Sequence, residues 1–330
     1  MIAADVIIIT AGRKRFLERC LSIVLQWQDV TPIIVVNGHD EETTRFLKEI
    51  SVAHRCLVFS VSEEKIPKSR ARNRGIGLGN APLVYFLDDD AVPREDAMSI
   101  ARNGFDRHPE IDVIGGPNVT PDESPFFERM IGYVLSSPFT AGRMRRRYGI
   151  AAHEEIDVND SSLMLCNLAV RRKVFEQEKL RFDERLEYNE ENLLLQQLRL
   201  SGHRMMYDPR LVVSHSRRSS LFSYMLQVFK SGEGRALMTV ILPRSLSPGY
   251  LFPAIFLCYL ASLPVCQRMP FGTPLLVYLG ISVLEAVRIM IIHQECFCAL
   301  PVLSGLPLVS HLSYGAGFLW GMRRLMQWRS

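Results

Sequence analysis

The sequence predicts an α/β protein, a mostly parallel sheet flanked by helices and followed by C-terminal helices that span a membrane or lie in its interface. Three observations carry this expectation. From Asp5 to about Asp112, short β-branched runs alternate with segments of helical periodicity, the pattern of a parallel sheet with right-handed crossovers. The run Leu83-Val84-Tyr85-Phe86-Leu87 shows no polar alternation, so both faces of that strand are covered. Between Arg244 and Arg268 no charged residue occurs, a sharp change from the rest of the chain.

In order along the chain, the first unit is a strand from Val6 to Thr10, a turn at Gly12, and a helix with Phe16, Leu17, Cys20, Leu21 and Val24 on one face. Pro32 to Val36 reads as a second strand ending in the turn signal Asn37-Gly38. A helix over Glu42 to Ile50, a strand over Cys56 to Val61 and a helix over Ser69 to Leu78 lead into the Leu83 strand. Ile111 to Pro117 reads as a further strand, and Ser124 to Arg147 as a long aromatic and basic segment. Leu193 to Leu198 belongs to a helix that stops at Gly202, Met205 to Pro209 reads as a turn, and Leu211 to His215 as a strand.

Of 330 residues, 48% are hydrophobic, and 39 Lys and Arg balance 35 Asp and Glu, which excludes a protein built to coat nucleic acid. Seven Cys without a CxxC pair, Cys20, Cys56 and Cys166 among them, read as buried reduced thiols. Cys296 and Cys298 are too close together for a zinc knuckle. The opening residues carry no basic n-region or cleavage-type tail, which places the catalytic part in the cytoplasm.

The chemistry is expected where the Leu83 strand ends in Asp88-Asp89-Asp90. Open α/β sheets bind ligands at the carboxyl ends of their strands, and Thr10-Ala11-Gly12 and Asn37-Gly38 arrive at the same edge. Adjacent acids repel one another, and a divalent cation such as Mg2+ or Mn2+ relieves that repulsion; a solvated acidic turn before Pro93 is the competing reading. No GxGxxG follows the first strand and no GxxxxGK[ST] occurs, which counts against dinucleotide and P-loop enzymes. Glu190 and Glu191 open a helix, where the helix dipole alone favours one acid, and a second at that junction is a candidate general base. His215 at a strand end is either structural or a neutral metal ligand. The basic run Arg143 to Arg147 reads as a solvated face, with a phosphate-bearing substrate or lipid headgroups as the alternative.

Three apolar stretches follow Arg244: one centred on Tyr250 to Leu260, one from Phe271 to Ile292 interrupted by Glu285 and Arg288, and one from Cys296 to Met322. A bilayer needs about 20 apolar residues per crossing. Basic residues favour the cytoplasm, so Arg323, Arg324 and Arg329 call for an even number of crossings. Either the Glu285 stretch, whose two charges pair on one helix face, lies in the interface, or three spans exist. Buried helices of a larger soluble core are the remaining reading.

The order of motifs, Ser69-Arg70-Ala71-Arg72-Asn73-Arg74, then Phe86-Leu87-Asp88-Asp89-Asp90, then Asn189-Glu190-Glu191, then Tyr207-Asp208-Pro209 and His215, resembles glycosyltransferase family 2. It is most similar to membrane-attached members that build bacterial exopolysaccharide or other surface glycans. The resemblance covers Asp5 to about Arg235. It implies a GT-A catalytic domain over residues 1–243 and a membrane region over 244–330. It also implies a nucleotide-diphospho-sugar donor, a divalent metal and inversion at the anomeric carbon. Carried over by residue, Asp88 and Asp90 match the ends of the DxD motif, with Asp89 between them, Asp88 toward the ribose and Asp90 on the metal. Arg72 and Asn73 match a helix beside the nucleotide, and Thr10 and Ala11 a first-strand nucleotide contact. Glu191 matches the catalytic base, Glu190 the residue before it, and His215 a histidine that completes the metal shell. Gln227 and Arg235 fall in an acceptor-side segment.

This sequence departs from the family pattern in two places. Asn37 with Gly38 and His39 stands where the family has an Asp-rich turn that reads the base, and Glu191 stands where the base is usually Asp. The expected enzyme is multi-pass in the plasma membrane and transfers sugar to a polyprenyl-linked glycan, whose phosphates meet basic residues near Arg143 and Arg217. A non-catalytic sugar-nucleotide-binding subunit and a nucleotidyltransferase are the competing classes.

Overall fold

The computed structural model describes residues 2–265 and 269–328. The chain forms β1 (Ala4–Thr10), α1 (Lys14–Val24), β2 (Val30–Asn37), α2 (Glu41–Ala53), β3 (Val58–Ser62), α3 (Lys68–Leu78) and β4 (Leu83–Asp88). There follow β5 (Ala91–Pro93), α4 (Ala97–Arg107), β6 (Ile111–Gly115), β7 (Asn118–Val119), α5 (Phe126–Leu135), α6 (Pro138–Ala141), β8 (Glu155–Ile156), β9 (Asn167–Arg171) and α7 (Lys173–Gln177). The last elements are α8 (Glu190–Leu200), β10 (Arg204–Tyr207), β11 (Val213–His215), α9 (Leu221–Ile241), α10 (Pro248–Ser262), α11 (Met269–His293) and α12 (Leu300–Trp328). They assemble into two compact units, each discontinuous in sequence: Met1–Pro121 with Arg146–Ser216, and Asp122–Arg145 with Arg217–Ser330.

The first unit is built on an eight-stranded sheet in the order β3-β2-β1-β4-β9-β6-β10-β8. β1 runs parallel to both β2 and β4 in a register that sets Ile9 opposite Val35 and Asp88, so these strands end together. As the unalternated apolar runs require, both faces are covered. Val6, Ile8, Ile34, Tyr85 and Leu87 pack with Leu17 and Leu21 of α1 and Phe105 of α4 on one side. Ile7, Ile33, Val84 and Phe86 pack with Ile76 of α3 and Leu194 and Leu195 of α8 on the other. Buried Asp5 at the start of β1 accepts from Ala81 N at 2.9 Å and from Arg172 Nη2 at 2.5 Å, tying that strand to the end of β9.

The sequence reading missed two features of this sheet. β9 enters antiparallel between β4 and β6. Its segment, Asn-Leu-Ala-Val-Arg, is too short and too polar at its ends to show a strand period. Met205–Tyr207, read as part of a turn, is the strand β10, buried against β6.

In the second unit α9 lies directly against α12. A Cβ on Gly232 would collide with the Tyr314 carbonyl, and one on Gly317 with that of Phe229, so the small residues set the close approach. Met130, Ile131 and Val134 of α5 share a core with Leu303 and Leu306 of α12. Among the described residues, two helices are long and apolar enough to cross a membrane, Pro270–His293 and Phe297–Arg324. Glu285 and Arg288 do pair on α11, at 2.7 Å. The Tyr250 stretch is the one that falls short: α10 has 15 residues, a length of about 22 Å against a hydrocarbon core of about 30 Å. Arg268 and Arg329 lie outside the described residues.

Cysteine placement differs from expectation. Cys20 and Cys166 are buried and in no disulfide, but Cys56 is exposed in the turn before β3, and Cys296 is disulfide-bonded to Cys298.

Candidate active site

The ends of β1, β2 and β4 and the short β5–β11 pair gather the acids. Asp88 ends β4, and the antiparallel register of β11 on β5 sets His215 opposite Ala91, one residue beyond Asp90. His215 Nε2 lies 2.9 Å from Asp90 Oδ1. Asp88, Asp90 and His215 each offer a ligand atom within 4.8 Å of the others, and among the described residues this is the group that could hold a metal ion. Its donors, two carboxylates and an imidazole, suit Mn2+ or Mg2+. His215 Nδ1 is buried with no hydrogen-bond partner.

Asp89 points the other way, fully buried beneath the turn after β1. Gly12 makes that turn with φ +81°, and a Cβ there would come within 2.7 Å of Asp40 Oδ2. The Arg13 backbone N–H donates to Thr10 Oγ1 at 3.4 Å, and its guanidinium grips both Asp89 and Asp90. Burial pushes the Asp89 carboxyl up to about 6, against the pull of Arg13. Burial acts on Asp90 in the same sense, but the hydrogen bond and charge of His215, with Arg13, hold it below the usual carboxylate range.

Arg72 of α3, buried, links the acid cluster to the start of α8. Its Nη2 lies 3.6 Å from Asp88 Oδ1, and its Nη1 bonds Glu190 Oε1. Although burial alone would lower it, Glu190 and then Asp88 raise the Arg72 pKa above its ordinary value, and the group stays charged. Burial pushes the Glu190 carboxyl upward against the same ion pair.

Asn189 takes the left-handed conformation, φ +64°, just before α8, and the two acids that follow it face different surroundings. Glu191 is partly exposed and accepts from Asn192 Nδ2 at 3.0 Å and Arg147 Nη1 at 3.5 Å. Arg147 is itself buried and also binds Asn192 Oδ1 and the Asp160 carbonyl. A carboxylate that keeps some exposure and is aimed by two donors is what a general base needs.

Other expected contacts are engaged locally. Asn37 exchanges two hydrogen bonds with the Ile66 backbone, 2.9 and 2.8 Å, and Asn73 exchanges two with Phe182, both 2.9 Å. Both residues therefore shape the loops around the site. Ala11 is exposed at the β1 end. Gln227 and Arg235 belong to the second unit: Gln227 is exposed and accepts from Arg218 Nε at 3.1 Å, whereas Arg235 is buried with its guanidinium 4.1 Å from the centre of the Tyr250 ring. Arg13 and Arg147 were not singled out in the sequence. The signals present were an arginine in the Gly12 turn and a basic run read as a solvated face.

A mostly parallel sheet with two aspartates of an Asp-Asp-Asp turn at one strand end, beside a histidine from the small β5-β11-β7 sheet and a glutamate-led helix, defines the GT-A class of fold. Residues 5–178 match the family described as glycosyl transferase family 2, and the chain belongs to it. It is 23% identical over 263 residues, 73% of this chain and 79% of the relative, to the glucosyl-dolichyl phosphate glucuronosyltransferase of Haloferax volcanii. Among solved structures it is similar to the mannosyltransferase PcManGT of Pyrobaculum calidifontis in complex with GDP-Man and Mn2+, with TM-score 0.64, 13% identity, and 96% of this chain and 87% of that one covered. It is also similar to S. aureus TarS 1–349 with UDP-GlcNAc, at TM-score 0.54 and 14% identity, with 96% and 90% covered. The two structures share its fold, and the chain is a glycosyltransferase.

Proposed function

We propose that this enzyme is an inverting, metal-dependent glycosyltransferase. In this reading it moves a sugar from a nucleotide-diphospho-sugar to a polyprenyl-linked glycan at the cytoplasmic face of the membrane, in the assembly of a surface polysaccharide. The observation that carries the reading is the convergence of Asp88, Asp90 and His215, joined through Arg72 to the start of α8. The dolichyl-phosphate substrate in the relative's name supports a polyprenyl acceptor, and the Mn2+ bound with GDP-Man in the solved mannosyltransferase supports the metal. α11 and α12 supply the membrane contact such an acceptor requires. In this assignment residues 1–243 contain the catalytic domain and 244–330 the membrane region.

Asp88, Asp90 and His215 would hold the cation, which when bound neutralises charge on the diphosphate leaving group. Arg72 keeps Asp88 and Glu190 in place and adds positive charge beside the nucleotide. Glu191, aimed by Asn192 and Arg147, takes the proton of the acceptor hydroxyl as that oxygen attacks the anomeric carbon from the face opposite the diphosphate. Glu190 stays on Arg72 and does not exchange protons with substrate.

The test is a panel of nucleotide-sugars with Mn2+ or Mg2+ against the detergent-solubilised protein, read by thermal shift and by release of nucleoside diphosphate. One donor should stabilise the protein only with metal, and Asp90→Asn should abolish both stabilisation and transfer. Near-normal turnover in Asp90→Asn would remove the assignment.

A further inference from the structure

Arg13 occupies a position that the catalytic reading leaves unexplained. From the turn after β1 its Nε donates to Asp89 Oδ2 at 3.1 Å, its Nη2 bonds Asp89 Oδ1, and its Nη1 bonds Asp90 Oδ2. Asp90 is therefore held from two sides, by His215 at Oδ1 and by a guanidinium at Oδ2. A divalent cation seated among Asp88, Asp90 and His215 would share Asp90 with Arg13, and two positive charges on one carboxylate repel each other. The two partners of Arg13 differ in freedom. Asp89 is fully buried and fixed, whereas the Arg13 side chain is 43% exposed and can swing outward without opening the core. Its backbone stays anchored through Thr10, so the swing is confined to the mouth of the acid cluster. A guanidinium released there is a planar fork suited to phosphate oxygens.

We propose that Arg13 is the internal counter-ion of the empty acid cluster and transfers to the donor's diphosphate when the cation enters, making metal and diphosphate uptake interdependent. The proposal rests on the reading of Asp88, Asp90 and His215 as metal ligands. Arg13 has two roles in this scheme: it keeps the acids in register before loading and binds the leaving diphosphate afterwards. The interdependence has a direct consequence, since metal alone binds weakly and the site is completed only by the metal and a diphosphate together.

The experiment measures Mn2+ uptake by the full-length protein in detergent, from the electron paramagnetic resonance signal of free Mn2+. It is run with and without inorganic pyrophosphate, a base-independent probe, and corrected for the Mn2+–pyrophosphate complex. The key variant is Arg13→Gln with Asp89→Asn, which removes one charge of each sign and leaves no buried carboxylate unpaired. It should bind Mn2+ alone about tenfold more tightly than the wild type, the size of one lost charge-assisted contact, while pyrophosphate enhances Mn2+ binding about tenfold in the wild type and less than twofold in the variant. Arg13→Lys, which keeps the charge but loses the fork, serves if the double variant does not fold: its affinity for Mn2+ alone should match the wild type, with the pyrophosphate enhancement cut about threefold. Equal Mn2+ affinity and equal enhancement in wild type and double variant, or an undiminished enhancement in Arg13→Lys, would overturn the proposal. A wild type that melts normally yet takes up no Mn2+ even with pyrophosphate would instead remove the metal-ligand reading, and this inference with it.

Discussion

Glu190 and Glu191 are neighbours in sequence, but the start of α8 gives them different work. Glu190 is sealed against Arg72, and Glu191 opens toward solvent under Asn192 and Arg147. Glu191→Gln keeps the shape and the hydrogen bonds but cannot take a proton. Transfer should fall by about 10²- to 10⁴-fold with donor affinity changed less than twofold, as measured by single-turnover kinetics and donor titration. Glu190→Gln should act on stability instead, because it leaves a buried guanidinium with a weaker partner, and should lower the melting temperature more than Glu191→Gln does. An equal loss of transfer from Glu190→Gln in a fully folded protein would move the base by one residue. The acids themselves were legible in the sequence because strand ends and helix starts are local signals. Their orientation was not, since it depends on the left-handed Asn189 and on Arg147, whose partner in Glu191 is 44 residues away. Arg13 was hidden for the same reason, 76 residues from Asp89.

At the scale of elements, β1 to β4 were readable because each is an apolar run with a turn signal behind it. The antiparallel β9 and the strand β10, paired between β6 and β8, owe their place to long-range packing, and no short window shows that. One fastening of this half of the sheet makes a testable case. Asp112 of β6 lies 2.8 Å from Lys173 Nζ on α7 and 2.7 Å from His203 Nδ1 just before β10. Burial opposes ionisation, but hydrogen bonds from Lys173 and His203 prevail and hold Asp112 below its ordinary value. A carboxyl depressed in the folded state contributes stability above its unfolded pKa, and that contribution is lost as pH falls through the folded value. Wild type should therefore exceed Asp112→Asn in stability at pH 7, by about 1 kcal/mol or less because solvent screens the half-exposed Lys173. The gap should close as pH falls below about 4. Denaturant melts of the two proteins at pH 7 and pH 3.5 check the sign, and a gap that widens in acid would contradict it.

At the scale of the whole molecule, the composition change at Arg244 marks where the chain turns apolar, but the second compact unit also takes Asp122–Arg145 from within the first half of the sequence. Met130, Ile131 and Val134 of α5 are at most 1% exposed because Ala286, Ile289, Leu303 and Leu306 cover them. The basic and aromatic segment around Ser124 to Arg147 gave no sign of this in sequence, since the faces that bury α5 lie far along the chain in α11 and α12. A fragment ending at residue 243 would strip that cover from three large apolar side chains. At about 1.5–3 kcal/mol each, the loss rivals the 5–15 kcal/mol that holds a typical domain together. Such a fragment should be recovered aggregated. A fragment ending at Ser216, with residues 122–145 replaced by a flexible Gly-Ser linker, removes α5, α6 and α9 along with their lost cover, and should be soluble and monodisperse on size-exclusion chromatography, with its melting transition raised by Mn2+ and pyrophosphate together. Solubility of the simple truncation would mean that α5 finds other cover within the first unit. Failure of the linker version would mean that the sheet depends on the apolar helices for its own stability.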